Sequence, residues 1–306
     1  MNTMMVQVFF AILETFLAFG LGALAVKLKM LDDDSIGKLS NLTLDLLFPL
    51  MIFSSITQNF DVNTPGTLWQ MPLMGFLLIA MGALLGLLFL PGMRCKTPEY
   101  KATFHHFCAV NNYVFLPLIV LQKLWGDGHV ALLLLMNVGS TVAFWTIGVM
   151  TLGGSNFKQA FKSIFSLNLL AVVLALAVTL LQIPIPGFLA NTAKSVGDIS
   201  VPLMLLLIGA AIYGNWKQIF QHPYDVLYLS VVRLVILPLI LLGLLKFLPL
   251  PRDVYEVVFV VALMPVSSSS VLITKRYGGS TEFAGQAVVV TTVLALATIP
   301  LMLYFL

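Results

Sequence analysis

Ser267, Ser268, Ser269 and Ser270 follow Pro265 and Val266 in the middle of an otherwise apolar run, Val257 to Ile273 (VVFVVALMPVSSSSVLI). Their hydroxyls offer donors and acceptors at a depth where lipid offers none. Proline gives no N–H to a helix, and its ring clashes with the preceding turn. A second run, Ala109 to Val120 (AVNNYVFLPLIV), has the same character, with Asn111 and Asn112 ahead of Pro117. A helix broken at such a place exposes unpaired N–H and C=O groups. N-terminal ends carry partial positive charge and hold anions. Two interrupted segments meeting in mid-bilayer would suit a carboxylate without a full buried positive charge. The candidate substrate-binding set is Asn111, Asn112, Tyr113, Pro117, Pro265, Val266, Ser267, Ser268 and Ser269, with Asn137 from the following span. The plainer alternative is that the prolines only kink two packing helices and the serines bond back to carbonyls one turn earlier. Finding both stretches in one chain favours the site.

Carboxylates inside apolar runs are the second source of chemistry. Inserting one costs about 2.5–3.5 kcal/mol, so each is a functional candidate by default. Asp45, Asp198 and Glu14 are the candidates for binding a coupling ion or proton, H⁺ or Na⁺. The competing reading puts Asp45 and Asp198 near span ends, capping or facing water, and Glu14 against the bundle or a subunit partner. Asn137, Ser140, Thr141, Thr291 and Thr292 either line a cavity or join helices as polar glue. Arg233 pairs with a substrate, snorkels, or pairs with an acid such as Asp225. His105 and His106 are adjacent, and neighbours on a helix do not face one metal. No metal site or cofactor is expected. The chain lacks HExxH, GxxxxGK[ST] and GxSxG, so no enzyme is expected either.

These residues need elements to position them, and the composition says which. The chain is 59% hydrophobic and 9% charged, against about 25% charge in soluble domains. Only lipid can solvate that much apolar surface, so the fold class is an all-α, multi-pass membrane protein. A span needs about 20 mostly apolar residues. Ten such spans follow: Met4–Val26, Ile36–Ile56, Leu68–Leu90, Thr103–Leu124, His129–Leu152, Ile164–Leu181, Ala193–Tyr213, Val226–Leu248, Val254–Ile273 and Phe283–Phe305. Cys95 and Cys108 are the only cysteines, one in a basic loop and one in a span, so no disulfide framework is expected. No cleavable signal is expected. The first apolar run is long enough to span and lacks a basic start.

Eleven Lys and Arg residues fall in the loops after odd-numbered spans or at the span ends beside them, and four on the opposite face. That excess puts the odd-to-even loops in the cytoplasm and both termini outside. Span 2 contains Asp45-Leu-Leu-Phe-Pro49-Leu-Met51, and span 7 contains Asp198-Ile-Ser-Val-Pro202-Leu-Met204. Both read DxxxPLM, 153 positions apart. The prolines of spans 4 and 9 are 148 apart, and Ser140-Thr141 and Thr291-Thr292 are 151 apart. Near-constant offsets mark an internal duplication. The expected organisation is therefore residues 1–153 as one five-span repeat and 154–306 as a second. An odd number of spans per unit inverts the second, giving a 5+5 inverted repeat with two broken, crossing helices, spans 4 and 9.

At VNNYVFLPL, VPLMLLLIGAAI and the stretch from VALMPVSSSSVLI to TTVLALATIPLMLYFL, the chain resembles the auxin efflux carrier family, over its whole length. These are bacterial relatives of plant auxin transporters and of malate or malonate permeases. The resemblance implies a scaffold of spans 1, 2, 6 and 7, a moving core of spans 3–5 and 8–10, a homodimer and an organic anion as cargo. It carries over Asn111, Asn112, Pro117, Pro265 and the serines that follow as crossover-site matches. The expected function is secondary active transport of small organic carboxylates by alternating access, in the cell (inner) membrane. The expected partners are a carboxylate and membrane lipid, with no nucleic acid. Two alternatives stay open: a cation/proton antiporter using Asp45 and Asp198, and a carboxylate receptor that does not translocate its ligand.

Overall fold

In lipid every backbone polar group must be satisfied within the protein, which leaves helices as the choice for single apolar runs. The computed structural model describes residues 3–60, 66–154, 166–215, 223–268 and 270–303, and every named element in it is helical. Chain order gives α1 (Thr3–Lys27), α2 (Asp33–Asn59), α3 (Gly66–Phe89), α4 (Pro98–Ala109), α5 (Phe115–Trp125) and α6 (Asp127–Thr151). There follow α7 (Leu167–Leu180), α8 (Gly187–Gly197), α9 (Ser200–Asn215), α10 (Pro223–Leu245), α11 (Arg252–Ala262), α12 (Ser270–Arg276) and α13 (Thr281–Leu303).

Among the described residues, six stretches are long and apolar enough to cross a membrane: Asp33–Asn59, Gly66–Gly92, Asp127–Thr151, Gly187–Ala211, Pro223–Leu245 and Thr281–Leu303. They coincide with expected spans 2, 3, 5, 7, 8 and 10. Expected spans 4 and 9 are each divided between two shorter helices, α4 with α5 and α11 with α12.

Local sequence explains the ends and the changes of pitch. Asp32 caps α2 by accepting the Ser35 N–H at 2.8 Å, and the Ser35 hydroxyl together with that N–H holds its carboxyl below the usual carboxylate range. Single π-helical turns occur at Thr43–Leu47 in α2 and Val232–Ile236 in α10. Each is followed by one residue and then a proline, Pro49 and Pro238. A proline ring clashes with the carbonyl four residues back, and a wider turn relieves it. A third π turn, Phe144–Gly148, lies in α6.

Packing sets the scaffold on which the divided helices rest. α1 lies along α9, α2 along α7 and α8, and α3 along α6. The α3–α6 seam is close at the backbone, as is the α1–α9 seam, where a Cβ on Gly22 would lie 1.8 Å from the Leu206 carbonyl oxygen. A Cβ on Gly139 would lie 1.7 Å from the Pro72 carbonyl oxygen, and one on Gly75 would lie 2.2 Å from the Met136 carbonyl oxygen. Small residues at such crossings let backbones approach, which is how helices associate where lipid removes the hydrophobic driving force.

The helix ends pair reciprocally. His129, in the first turn of α6, bonds Glu256 of α11 at 2.9 Å, and Arg252 Nε donates to the same carboxylate at 2.9 Å. Ser280, just before α13, donates its N–H to Thr103 Oγ1 of α4 at 2.8 Å. So the start of α6 is tied to α11, and the start of α13 to α4. Asp225, in the first turn of α10, accepts the Arg94 and Cys95 N–H groups at 2.7 and 2.8 Å. It is committed to the loop before α4 and is not the partner of Arg233.

Candidate functional site

Helix α4 stops at Ala109, and α5 resumes at Phe115. Helix α11 stops at Ala262, and α12 resumes at Ser270. The two irregular segments meet. Asn111 and Val266 form an isolated antiparallel bridge, and the Asn112 N–H donates to the Pro265 carbonyl at 2.8 Å. The Asn111 side-chain amide donates to the Val261 carbonyl, closing an orphan acceptor in the last turn of α11. Thr291 of α13 accepts the Val266 N–H through its hydroxyl at 3.4 Å. Buried backbone groups need partners, and here each irregular segment finds them in the other and in flanking side chains.

Local sequence fixes where the chain leaves the helix. The break in the first segment falls at Val110–Val114, ahead of Pro117. Pro117 is the third residue of α5, where its missing N–H would have had no helical partner anyway. Pro265 lies inside the second irregular segment. The prolines therefore occupy different places, one starting a helix and one within a gap.

Burial separates the candidates into two groups. Asn111, Pro117, Pro265, Val266 and Ser267 are buried, whereas Asn112, Tyr113 and Ser268 are half-buried. Asn111 spends its amide on the backbone, so its role here is structural. Asn112 and Ser268 keep side chains that no hydrogen bond in the described structure consumes. Tyr113 faces Thr141 of α6 through its hydroxyl. Thr141 lies four residues after Asn137, on the same helix face. Ser269 lies outside the described residues.

Asn137 is the most informative of the set. It is 8% exposed, and neither its amide nitrogen nor its amide oxygen has a hydrogen-bond partner. Leaving a buried polar group unpaired costs about 1–3 kcal/mol. Asn137 is the eleventh residue of α6, and Thr291 is the eleventh of α13. Thr291 bonds an irregular segment, and Asn137, at the matching place, bonds nothing. The face it shares with Thr141 thus presents a donor and an acceptor beside Tyr113.

Two buried side chains that sequence reasoning left unassigned tie the junction to its surroundings. His106, on the last turns of α4, places Nδ1 2.8 Å from the Gly148 carbonyl in the third π turn. A carbonyl only accepts, so Nδ1–H donates, and Nε2 of the neutral ring accepts the Ser270 hydroxyl at 2.9 Å. Arg233 is 2% exposed in the π turn of α10. It donates Nε to Met264 O at 3.1 Å, one terminal nitrogen to Cys108 O at 3.3 Å and the other to Ala262 O at 3.3 Å. Both are polar residues inside apolar runs, which is the signal that could have found them.

The three acids expected to bind a coupling ion are all exposed. Asp45 sits in the π turn of α2. Glu14 pairs with Lys123 at 2.9 Å, and Asp198 pairs with Lys194 at 3.4 Å. None of the three bonds the junction among the described residues. Asp198 instead helps line a polar cleft between α2, the α5–α6 turn and α8, with Ser54, Ser55, Asn59, Gln122 and Lys194. No cluster of three metal-ligating side chains occurs among the described residues.

The profile of a family described as "Membrane transport protein" matches residues 7–303. No curated protein matches the chain.

Proposed function

Since the chain belongs to the membrane transport protein family, the auxin efflux carriers, and is therefore a membrane transporter, we propose that it carries a small organic carboxylate by alternating access, with the anion held where the two irregular segments meet. One observation carries this reading: the bridge between Asn111 and Val266 with the Asn112–Pro265 bond beside it. Irregular backbone at membrane depth is tolerated when buried in protein or lining a wet cavity. The half-exposed Asn112 and Ser268 and the unpaired Asn137 supply neutral donors around it. The N-terminal end of α5 adds partial positive charge. Neutral donors with a helix dipole suit a carboxylate that must also leave again.

An inverted duplication underlies the alternation in this reading. α4 and α11 start 154 positions apart (Pro98 and Arg252), α5 and α12 start 155 apart (Phe115 and Ser270), and α6 and α13 start 154 apart (Asp127 and Thr281). Asn111 and Val266 are 155 apart, so they occupy equivalent places and pair with each other, as residues on a two-fold axis do. The reciprocal ties, α6 to α11 and α13 to α4, support the same symmetry. Units of five spans, a bilayer-midplane site and rocking of one part against another follow from such a repeat. H⁺ or Na⁺ coupling and a homodimer in the inner membrane complete the proposal.

Counterflow in proteoliposomes tests it, with labelled indole-3-acetate, malonate and malate as probes. The expected result is exchange of at least one probe, abolished in Asn112→Ala and Ser268→Ala at unchanged protein yield. Wild-type exchange in both variants would remove the site. Binding without exchange would make the protein a receptor.

A further inference from the structure

Arg233 joins three backbone carbonyls that belong to two different helix ends. Cys108 O is in the last turn of α4, while Ala262 O and Met264 O lie at the end of α11 and just past it. Helix C-termini carry partial negative charge and orphan carbonyls. A planar guanidinium with five donors can serve several carbonyls at once, which an ammonium cannot do in fixed geometry. Burial of a full charge is costly unless it is paired. Among the described residues no carboxylate lies within ion-pair distance of Arg233. The ionisable group that faces it is the buried Cys108 thiol, neutral in its ordinary state. Among the described residues its compensation is the two helix ends, whose partial charges are each about half an electron.

We propose that Arg233 is the positioning residue of the carboxylate site. It draws the ends of α4 and α11 to one point, which sets the Asn111–Val266 bridge, and it supplies the junction's fixed positive charge. This inference rests on the carboxylate reading above and adds what selects the cargo's sign. The charge lies behind the backbone of the junction, because its bonds go to the main chain and to no exposed group. An anion in front is therefore held without a direct ion pair, and it can be released when the core moves. A neutral or cationic analogue of the same shape gains nothing from it. Val266 packs with Cys108, Val232 and Leu237 in one apolar cluster, which keeps water from screening the charge.

The test uses full-length protein in which Cys95 is replaced by Ser, so Cys108 is the sole thiol. The first readout needs no cargo. Cys108 is fully buried, and N-ethylmaleimide should label it slowly. Arg233→Gln should speed labelling by about tenfold or more through local opening, and Arg233→Lys, which keeps charge but serves fewer carbonyls, by less. The second readout is affinity for indole-3-acetate, malonate and malate by ligand-induced thermal shift. For an anion bound by wild type, Arg233→Gln should weaken binding about tenfold or more, while Arg233→Lys retains most of it, as a charge contribution demands. A packing role alone would treat Lys and Gln alike. Should Arg233→Gln not fold, guanidinium ion added to Arg233→Ala replaces it, and recovered anion binding is the expected result. Failure of guanidinium and of Arg233→Lys to preserve binding would overturn the proposal. So would wild-type labelling and affinity in Arg233→Gln. A wild type that binds none of the three anions would instead sink the carboxylate reading, and the sign selection with it.

Discussion

Asn111 and Val266, 155 residues apart in the chain, face one another across a single antiparallel bridge. Bridged residues of an antiparallel pair have Cβ atoms about 4.5–5.5 Å apart, within reach of a disulfide after small adjustment. Asn111→Cys with Val266→Cys, in a background where Cys95 and Cys108 are Ser, should crosslink on mild oxidation. Cleavage at a protease site placed between residues 155 and 165 would then leave one band on a non-reducing gel. Two bands would mean that the segments do not meet.

Asn137 predicts an exchange of stability for binding. Its amide is buried with nothing to bond, so Asn137→Leu removes an unpaired polar group at similar volume. The empty protein should gain about 1–2 kcal/mol. Cargo binding should fall about tenfold or more, because the donor and acceptor are gone. Thermal melting with and without a transported anion reads both. A variant that loses stability would show that Asn137 holds the fold and is not kept for a ligand.

Gly139 bears on the seam between α3 and α6. A methyl there would meet the Pro72 carbonyl, a backbone atom that cannot step aside. Gly139→Ala should cost about 1–3 kcal/mol as an overpacked crossing. Heating in detergent followed by size exclusion measures it. Gly243, which has open space around its Cβ position, is the control: Gly243→Ala should be neutral or slightly stabilising.

Glu256 staples the start of α11 to that of α6. Its side chain is 8% exposed and accepts from both His129 and Arg252. Glu256→Leu removes the acceptor and leaves the half-buried His129 without its acid, so stability should fall by about 1–3 kcal/mol, read as a lower melting temperature. A second substitution, His129→Leu, should then cost less than it does alone, which a double-mutant cycle would register. Additive effects would mean the pair is not coupled.

The fold was legible in the sequence wherever one physical signal dominated. Long runs with almost no charge gave the helices of α2, α3, α6, α10 and α13, because lipid leaves a lone apolar segment no other structure. Asn111 and Asn112 marked the first irregular segment, and Pro265 the second. The register between the two proposed halves was less legible. Matching Pro117 to Pro265 sets an offset of 148, but the helices restart 154 and 155 positions apart. Proline is tolerated both in the first turn of a helix and in a gap, so it does not define one place in a repeat. DxxxPLM, at 153, came closer, since it combines a charge with a packing pattern. Asp45, Asp198 and Glu14 stood out by type alone, and hydropathy does not say which face of a helix a residue occupies. The sequence leaves Arg233 among a substrate, the membrane interface and an acid such as Asp225, because a charge in an apolar run invites each of them. Sequence carries no sign of a backbone carbonyl's direction, and carbonyls are what Arg233 found.

The bridge at the junction has a mechanical corollary. Its two segments share main-chain bonds and an arginine that holds them from behind. Pulling one away from the other would expose several unsatisfied peptide groups at once. If the chain works by alternating access as proposed, both discontinuous helices would travel together, sliding along surfaces such as the one α5 shares with α1. On that proposal the load would never be handed from one half of the chain to the other; the two halves would move it jointly.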